Sequence, residues 1–224
     1  MSRHYRIPFK QSLRPEKTDT SDWRAPKEDL DGNGFYVNVP NVKFDVIFTA
    51  GHNLVEAKQR HSTNIKIVNA ANEIPVSSKM IHVCQQYFDE PDEVNAIYDY
   101  GVILLKRDLK AARRGFGFNL MLGLAPPLQS DASSADENEK DVLHDRLLYV
   151  SGYRPNDLPS GGPPRKSDGS CIQTNPHQLV YKANTVKGMS GGPVWLGFQG
   201  VETVVAIQYV YTPQLCDYLF VRSI

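Results

Sequence analysis

The chain alternates short apolar runs with polar turns, and nearly every run has the length of a strand. Gly34–Val39 and Lys43–Thr49 are rich in β-branched and aromatic side chains, and Pro40-Asn41 between them is a turn signal. Further strands are predicted over Asn64–Val68, Ile74–Val83, Gly101–Leu105 and Asn119–Leu124. A second group covers Leu147–Gly152, Gln178–Lys182, Pro193–Leu196 and Glu202–Val210. No long 3.6-residue period interrupts them, so the pattern predicts an all-β barrel or sandwich. One helix is expected at the C-terminal end. Thr212 can cap it, Pro213 suits its first turn, and Leu215, Tyr218, Leu219 and Arg222 then lie at helical spacing.

Two stretches read as loops. Ser130–Asp145 carries six acidic residues' worth of charge in Asp131, Asp136, Glu137, Glu139, Asp141 and Asp145, the mark of a solvated linker. Asn156–Ser170, with Pro155, Pro159, Gly161, Gly162, Pro163 and Pro164 in or beside it, reads as an irregular surface loop. The acidic linker divides the strands into two groups of similar size. The expected layout is an N-terminal arm over 1–30, a first barrel over 31–128, the linker over 129–146 and a second barrel with the helix over 147–224. The arm's charge and proline content predict disorder.

Composition narrows the function. With 224 residues, 41% of them hydrophobic, the chain can bury a substantial core. Lys plus Arg (25) equals Asp plus Glu (25), so no basic surface speaks for nucleic acid or an anionic membrane. No apolar run approaches the roughly 20 residues that span a bilayer. The polar segment Met1–Lys27 lacks the apolar core of a secretory signal, which points to an intracellular chain or one already trimmed. The three cysteines, Cys84, Cys171 and Cys216, are too few for a disulfide framework and lack metal-ligand spacing. Cys171 with Cys216 is the candidate bridge, and buried thiols are the expectation.

Three segments carry chemistry. In Gly188-Met189-Ser190-Gly191-Gly192-Pro193 the glycines permit a sharp turn around a serine. The N–H groups of Gly188 and Ser190 can then converge on one spot as an oxyanion hole, while Pro193 opens the next strand. In Phe48-Thr49-Ala50-Gly51-His52 a strand runs into a small-residue turn that presents a histidine, a general base near neutral pH. In Tyr98-Asp99-Tyr100-Gly101-Val102 an aspartate precedes an apolar strand, where it can orient an imidazole. His61, His82, His144 and His177 have no companion motif.

The order His52, Asp99, Ser190 is that of the chymotrypsin class of triads. Thr49–His52 resembles that family's Thr-Ala-Ala-His segment, Asp99–Leu105 its Asp-Ile-Ala-Leu-Leu segment, and Gly188–Pro193 its Gly-Asp-Ser-Gly-Gly-Pro. The sequence thus resembles the trypsin/chymotrypsin-like serine proteases over roughly residues 30 to 212. The resemblance implies two six-stranded antiparallel β-barrels and a serine endopeptidase acting on protein or peptide substrates, with His52, Asp99 and Ser190 catalytic and neither metal nor organic cofactor.

Two features favour the glutamyl endopeptidase branch. Met189 replaces the aspartate that pairs with a freed N-terminus, and Ser151-Gly152-Tyr153-Arg154-Pro155-Asn156-Asp157 resembles that branch's Gly-Tyr-Pro-Gly-Asp segment. By position, Asn184 and Thr185 form the floor of the specificity pocket, and Gln208 stands where that branch has a histidine. This implies a polar, uncharged pocket with no Arg or Lys preference. Tyr209, Val210 and Tyr211 stand where the family often has glycines, beside the substrate strand. Their bulk raises an alternative, a latent or occluded protease-fold binding module. A protease effector domain of a larger intracellular protein differs from the main reading in biology, not chemistry.

Overall fold

The computed structural model describes residues 3–12, 27–69, 72–92, 94–107, 114–118, 143–154, 163–174, 178–185, 188–209 and 216–219. The first half contributes strands β1 (His4–Ser12), β2 (Lys27–Val37), β3 (Phe44–Thr49), β4 (Val55–Ala57), β5 (Arg60–His61), β6 (Lys66–Asn69), β7 (Asn72–Pro75), β8 (Ile81–Val83), β9 (Gly101–Lys106) and β10 (Gly117–Phe118). The second half contributes β11 (Leu147–Gly152), β12 (Arg165–Thr174), β13 (Gln178–Tyr181), β14 (Pro193–Phe198), β15 (Val201–Gln208) and β16 (Cys216–Leu219). Among the described residues one short α-helix, α1 (Gln85–Asp89), precedes β9. The fold is all-β, as the pattern of apolar runs predicts.

Seven strands form the first sheet in the order β7-β6-β1-β2-β3-β9-β8. Its period-two burial is plain in β3, where Asp45, Ile47 and Thr49 are buried and their neighbours are not. In the second sheet, β15-β14-β11-β12-β13-β16 closes on itself through β15–β16, and β10 lies parallel on β15. Each sheet wraps its own core. Ile7, Ile47, Ile67 and Ile103 fill the first, and Leu148, Val150, Leu179, Val194 and Ala206 the second. A third cluster joins the halves: Phe35, Val37, Ala50 and Phe116 meet Trp195 and Ile207. Phe116 stands edge-on to Phe35, 5.9 Å between ring centroids, and tilted against Trp195 at the same distance.

Several expectations are corrected. The arm expected to be disordered contributes β1, paired with β2 from His4↔Phe35 to Ser12↔Lys27. Tyr5 and Ile7 alternate with Arg6 along it, and both are buried. The expected C-terminal helix is a strand over Cys216–Leu219, because the edges of β13 and β15 would otherwise leave their N–H and C=O groups unpaired. The loop expected over Asn156–Ser170 becomes strand from Arg165 onward, paired with β11. The run Ile74–Val83 breaks into β7 and β8 around a single 3-10 turn at Ser78–Met80. Among the described residues each of the two sheets has seven strands, against the six expected per barrel. Asn119–Leu124, most of the acidic linker, and Thr212, Pro213, Leu215 and Arg222 lie outside the described residues. Cys84 and Cys171 are thiols, and Cys171 is buried.

The join between the halves also holds a polar relay. Trp195 donates its indole N–H to Ser151 Oγ at 3.1 Å, and Ser151 Oγ lies 2.6 Å from His4 Nε2. Burial, reinforced by neighbouring Arg3, lowers the His4 pKa from 6.5 to about 4. The unfolded chain therefore takes up a proton near pH 6.5 that the native chain refuses until about pH 4. Native stability is expected to fall as pH drops through that window, by up to ~3 kcal/mol at about 1.4 per pH unit. Thermal unfolding of wild type and His4→Gln across the window checks this. The variant's profile should be flatter, and parallel profiles would remove His4 as the cause.

Candidate active site

His52 is delivered by a local device. Strand β3 ends at Thr49, Ala50 stays extended, and a single 3-10 turn, Gly51–Asn53, lifts the imidazole towards the surface. Its side chain keeps 33% of its accessible surface, whereas that of Asp99 keeps 4%. Asp99 sits between the 3-10 turn Ala96–Tyr98 and β9, which pairs with β3 so that Thr49 faces Gly101. That register brings Asp99 onto His52. One carboxylate oxygen, Oδ1, accepts the His52 backbone N–H at 2.6 Å, and the other, Oδ2, lies 2.6 Å from Nδ1. The two-point grip fixes the ring and selects the tautomer with the proton on Nδ1, leaving Nε2 as the basic nitrogen.

Ser190 sits on a turn held from both sides. Gly188 and Gly191 adopt φ of 92° and 84°, the region that favours glycine. Gly192 N–H donates to Met189 O at 3.1 Å and closes the turn. Gly191 N–H donates to Gln208 O at 2.6 Å, and Gln208 N–H returns to Gly192 O at 2.9 Å, which ties the turn to β15. From the first half, Asn33 N–H donates to Ser190 O at 2.7 Å. Met189 is buried in the second core, a packing role that explains an apolar residue before the serine. The Ser190 hydroxyl donates to Tyr209 O at 3.1 Å, so its proton points towards the segment after β15.

The other expected site residues are less alike. Asn184 N–H donates to Ser167 Oγ at 3.0 Å. Thr185 and Gln208 are buried, and Gln208 Oε1 accepts the Tyr181 hydroxyl at 2.8 Å, which commits that oxygen to the interior. Tyr209 packs half-buried against the cluster between the halves, and Val210 and Tyr211 lie outside the described residues. His61 packs on Phe88 with 4.7 Å between ring centroids, His82 is exposed on β8, and His144 pairs with Asp145. His177 lies outside the described residues. Among the described residues, no group of three His, Cys, Asp or Glu could hold a metal ion.

No protein-family model and no curated protein matches the sequence. Solved structures do match. The protease Anisep of Arthrobacter nicotinovorans superposes with a TM-score of 0.62 at 15% identity, over 97% of this chain and 89% of that one. A Glu endopeptidase superposes with a TM-score of 0.60 at 14% identity, over 96% and 83%. A scabies mite inactivated protease paralogue superposes with a TM-score of 0.56 at 13% identity, over 97% and 89%. The chain has the chymotrypsin fold. In the chymotrypsin fold of this chain, the turn of Ser190 and the segment of His52 and Asp99 come from different halves.

Asn33 and Asn53, which none of the three segments includes, surround the Ser190 turn together with Thr49. Thr49 Oγ1 donates to Asn33 O at 2.7 Å and accepts from Asn53 Nδ2 at 3.0 Å, and Asn53 Nδ2 also reaches Ser190 O at 3.3 Å. A signal existed. Gly32 and Gly34 flank Asn33 inside a strand, and strand glycines mark close approach of another backbone.

Proposed function

We propose that this chain is a serine endopeptidase in which Ser190 is the nucleophile, His52 the general base and acid, and Asp99 the residue that orients the imidazole. The observation that carries the reading is the two-point grip of Asp99 on His52, and it is supported by Asn53, the residue after His52, whose Nδ2 donates to Ser190 O at 3.3 Å. Ser190 Oγ attacks the peptide carbonyl carbon as His52 Nε2 takes the hydroxyl proton. The C–O bond forms and the carbonyl oxygen becomes an anion. The N–H groups of Gly188 and Ser190 stabilise it. The tetrahedral intermediate then collapses, the C–N bond breaks and the imidazolium protonates the leaving amine. Water, deprotonated by His52, hydrolyses the acyl-enzyme. The substrate is a protein or peptide chain, paired in extended form beside Tyr209.

Reaction with a fluorophosphonate, read as intact mass, tests this directly. Wild type is expected to gain one adduct and Ser190→Ala none, with both proteins folded. An adduct that survives Ser190→Ala would refute the assignment of the nucleophile. The hydrogen bond from the Ser190 hydroxyl to Tyr209 O favours a second reading, a latent site in which the nucleophile is turned away from its base. Attack by Ser190 needs that bond broken, by rotation about Cα–Cβ. Folded wild type that takes no adduct would make the latent reading the better one.

A further inference from the structure

We propose that Asn33 is a positioning residue for catalysis, which holds the oxyanion-binding turn of Ser190 in register from the opposite half of the molecule; this rests on the endopeptidase reading above. Asn33 lies in β2 and is 1% exposed. Both hydrogens of its carboxamide cross to the second half, one to Gly188 O at 2.7 Å and one to Tyr153 O at 2.9 Å. Its Oδ1 accepts Tyr153 N–H at 2.6 Å. Its backbone N–H holds Ser190 O at 2.7 Å, and its carbonyl accepts the Thr49 hydroxyl at 2.7 Å.

One residue therefore grips the carbonyls on both sides of the Met189–Ser190 peptide. A carbonyl and the next N–H share a rigid plane. With the planes that follow Gly188 and Ser190 both held, the plane between them, which carries the Ser190 N–H, has little freedom to turn. The turn needs such a hold because Gly188, Gly191 and Gly192 impose few steric limits of their own. Met189, packed in an apolar core, supplies no ion pair to replace it. A donor misaimed by a fraction of an ångström loses most of its value for the oxyanion but little for the fold.

The test is the rate of fluorophosphonate labelling of the full chain across pH, for wild type, Asn33→Asp and Asn33→Ser. Asn33→Asp keeps the acceptor for Tyr153 N–H and loses both donors, whereas Asn33→Ser shortens the side chain and leaves the backbone bonds in place. Labelling is expected to slow by about 10- to 100-fold, with the midpoint of its pH profile unmoved, because His52 is untouched, and with cooperative unfolding retained. A folded variant that labels at the wild-type rate would overturn the proposal. So would slow labelling with a shifted midpoint, which would place the damage at the base. Loss of folding in both variants would reduce Asn33 to a purely structural residue and overturn it too. Failure of folded wild type to label would be a failure of the endopeptidase reading itself, visible before any Asn33 variant is examined.

Discussion

Asp99→Asn is expected to slow both fluorophosphonate labelling and peptide hydrolysis by about 10⁴-fold while the protein stays folded. The reason lies in the two contacts of the carboxylate. Asp99 accepts from the His52 backbone N–H and from Nδ1–H at once, each at 2.6 Å. A carboxamide has one oxygen and one NH₂ group, so it cannot accept on both sides. With its oxygen kept by the backbone N–H, its NH₂ group meets Nδ1 and drives the ring proton to Nε2. The nitrogen that must take the serine proton is then already protonated. Shape and volume hardly change, so folding should survive and the loss should appear in the rate. Labelling within about tenfold of wild type would sink the role given to Asp99.

Gly191→Ala is expected to destabilise the protein by about 4 kcal/mol or more, which is exceptional for a single methyl group. Two costs add. Gly191 has a φ of 84°, where an L-residue pays roughly 1–2 kcal/mol. A Cβ there would also overlap the carbonyl oxygen of Asn33 and come within 2.5 Å of Thr49 Oγ1, neither of which can move without breaking the bonds around Ser190. Gly200→Ala is the control: its φ is 77°, but nothing lies within 4 Å of the added carbon, so only the backbone strain remains. Urea unfolding of both variants separates the terms. Equal midpoints would mean that the Ser190 turn does not press against Asn33, and would weaken the case for its anchoring role as well.

Much of this fold is legible along the chain because a strand advertises itself locally. Leu147–Gly152 is expected and observed with the same bounds, since its apolar residues and flanking turn residues need no distant partner to be recognised. The three segments around His52, Asp99 and Ser190 are legible for a related reason. Each joins a turn to a short strand, and the small residues beside His52 and Ser190 dictate the local path there. Failures fall where local pattern and distant pairing disagree. The charge and proline content of residues 1–30 predict disorder, although Tyr5 and Ile7 alternate with Arg6 there and β2 pairs with β1 over its whole length. Arg165–Ser170 has the polarity of a loop, yet β11 offers it a complete set of backbone partners.

The all-β class and the three segments that present a histidine, an aspartate and a serine are readable along the chain, because those features depend on side-chain alternation and on turns a few residues long. Tertiary structure alone decided that Cys216–Leu219 closes the second barrel as a strand, that Asn33 spans the two halves, and that the Ser190 hydroxyl points to Tyr209. Each of these depends on backbone groups far apart in the chain whose hydrogen bonds must be satisfied together, and that condition exists only once both barrels are formed.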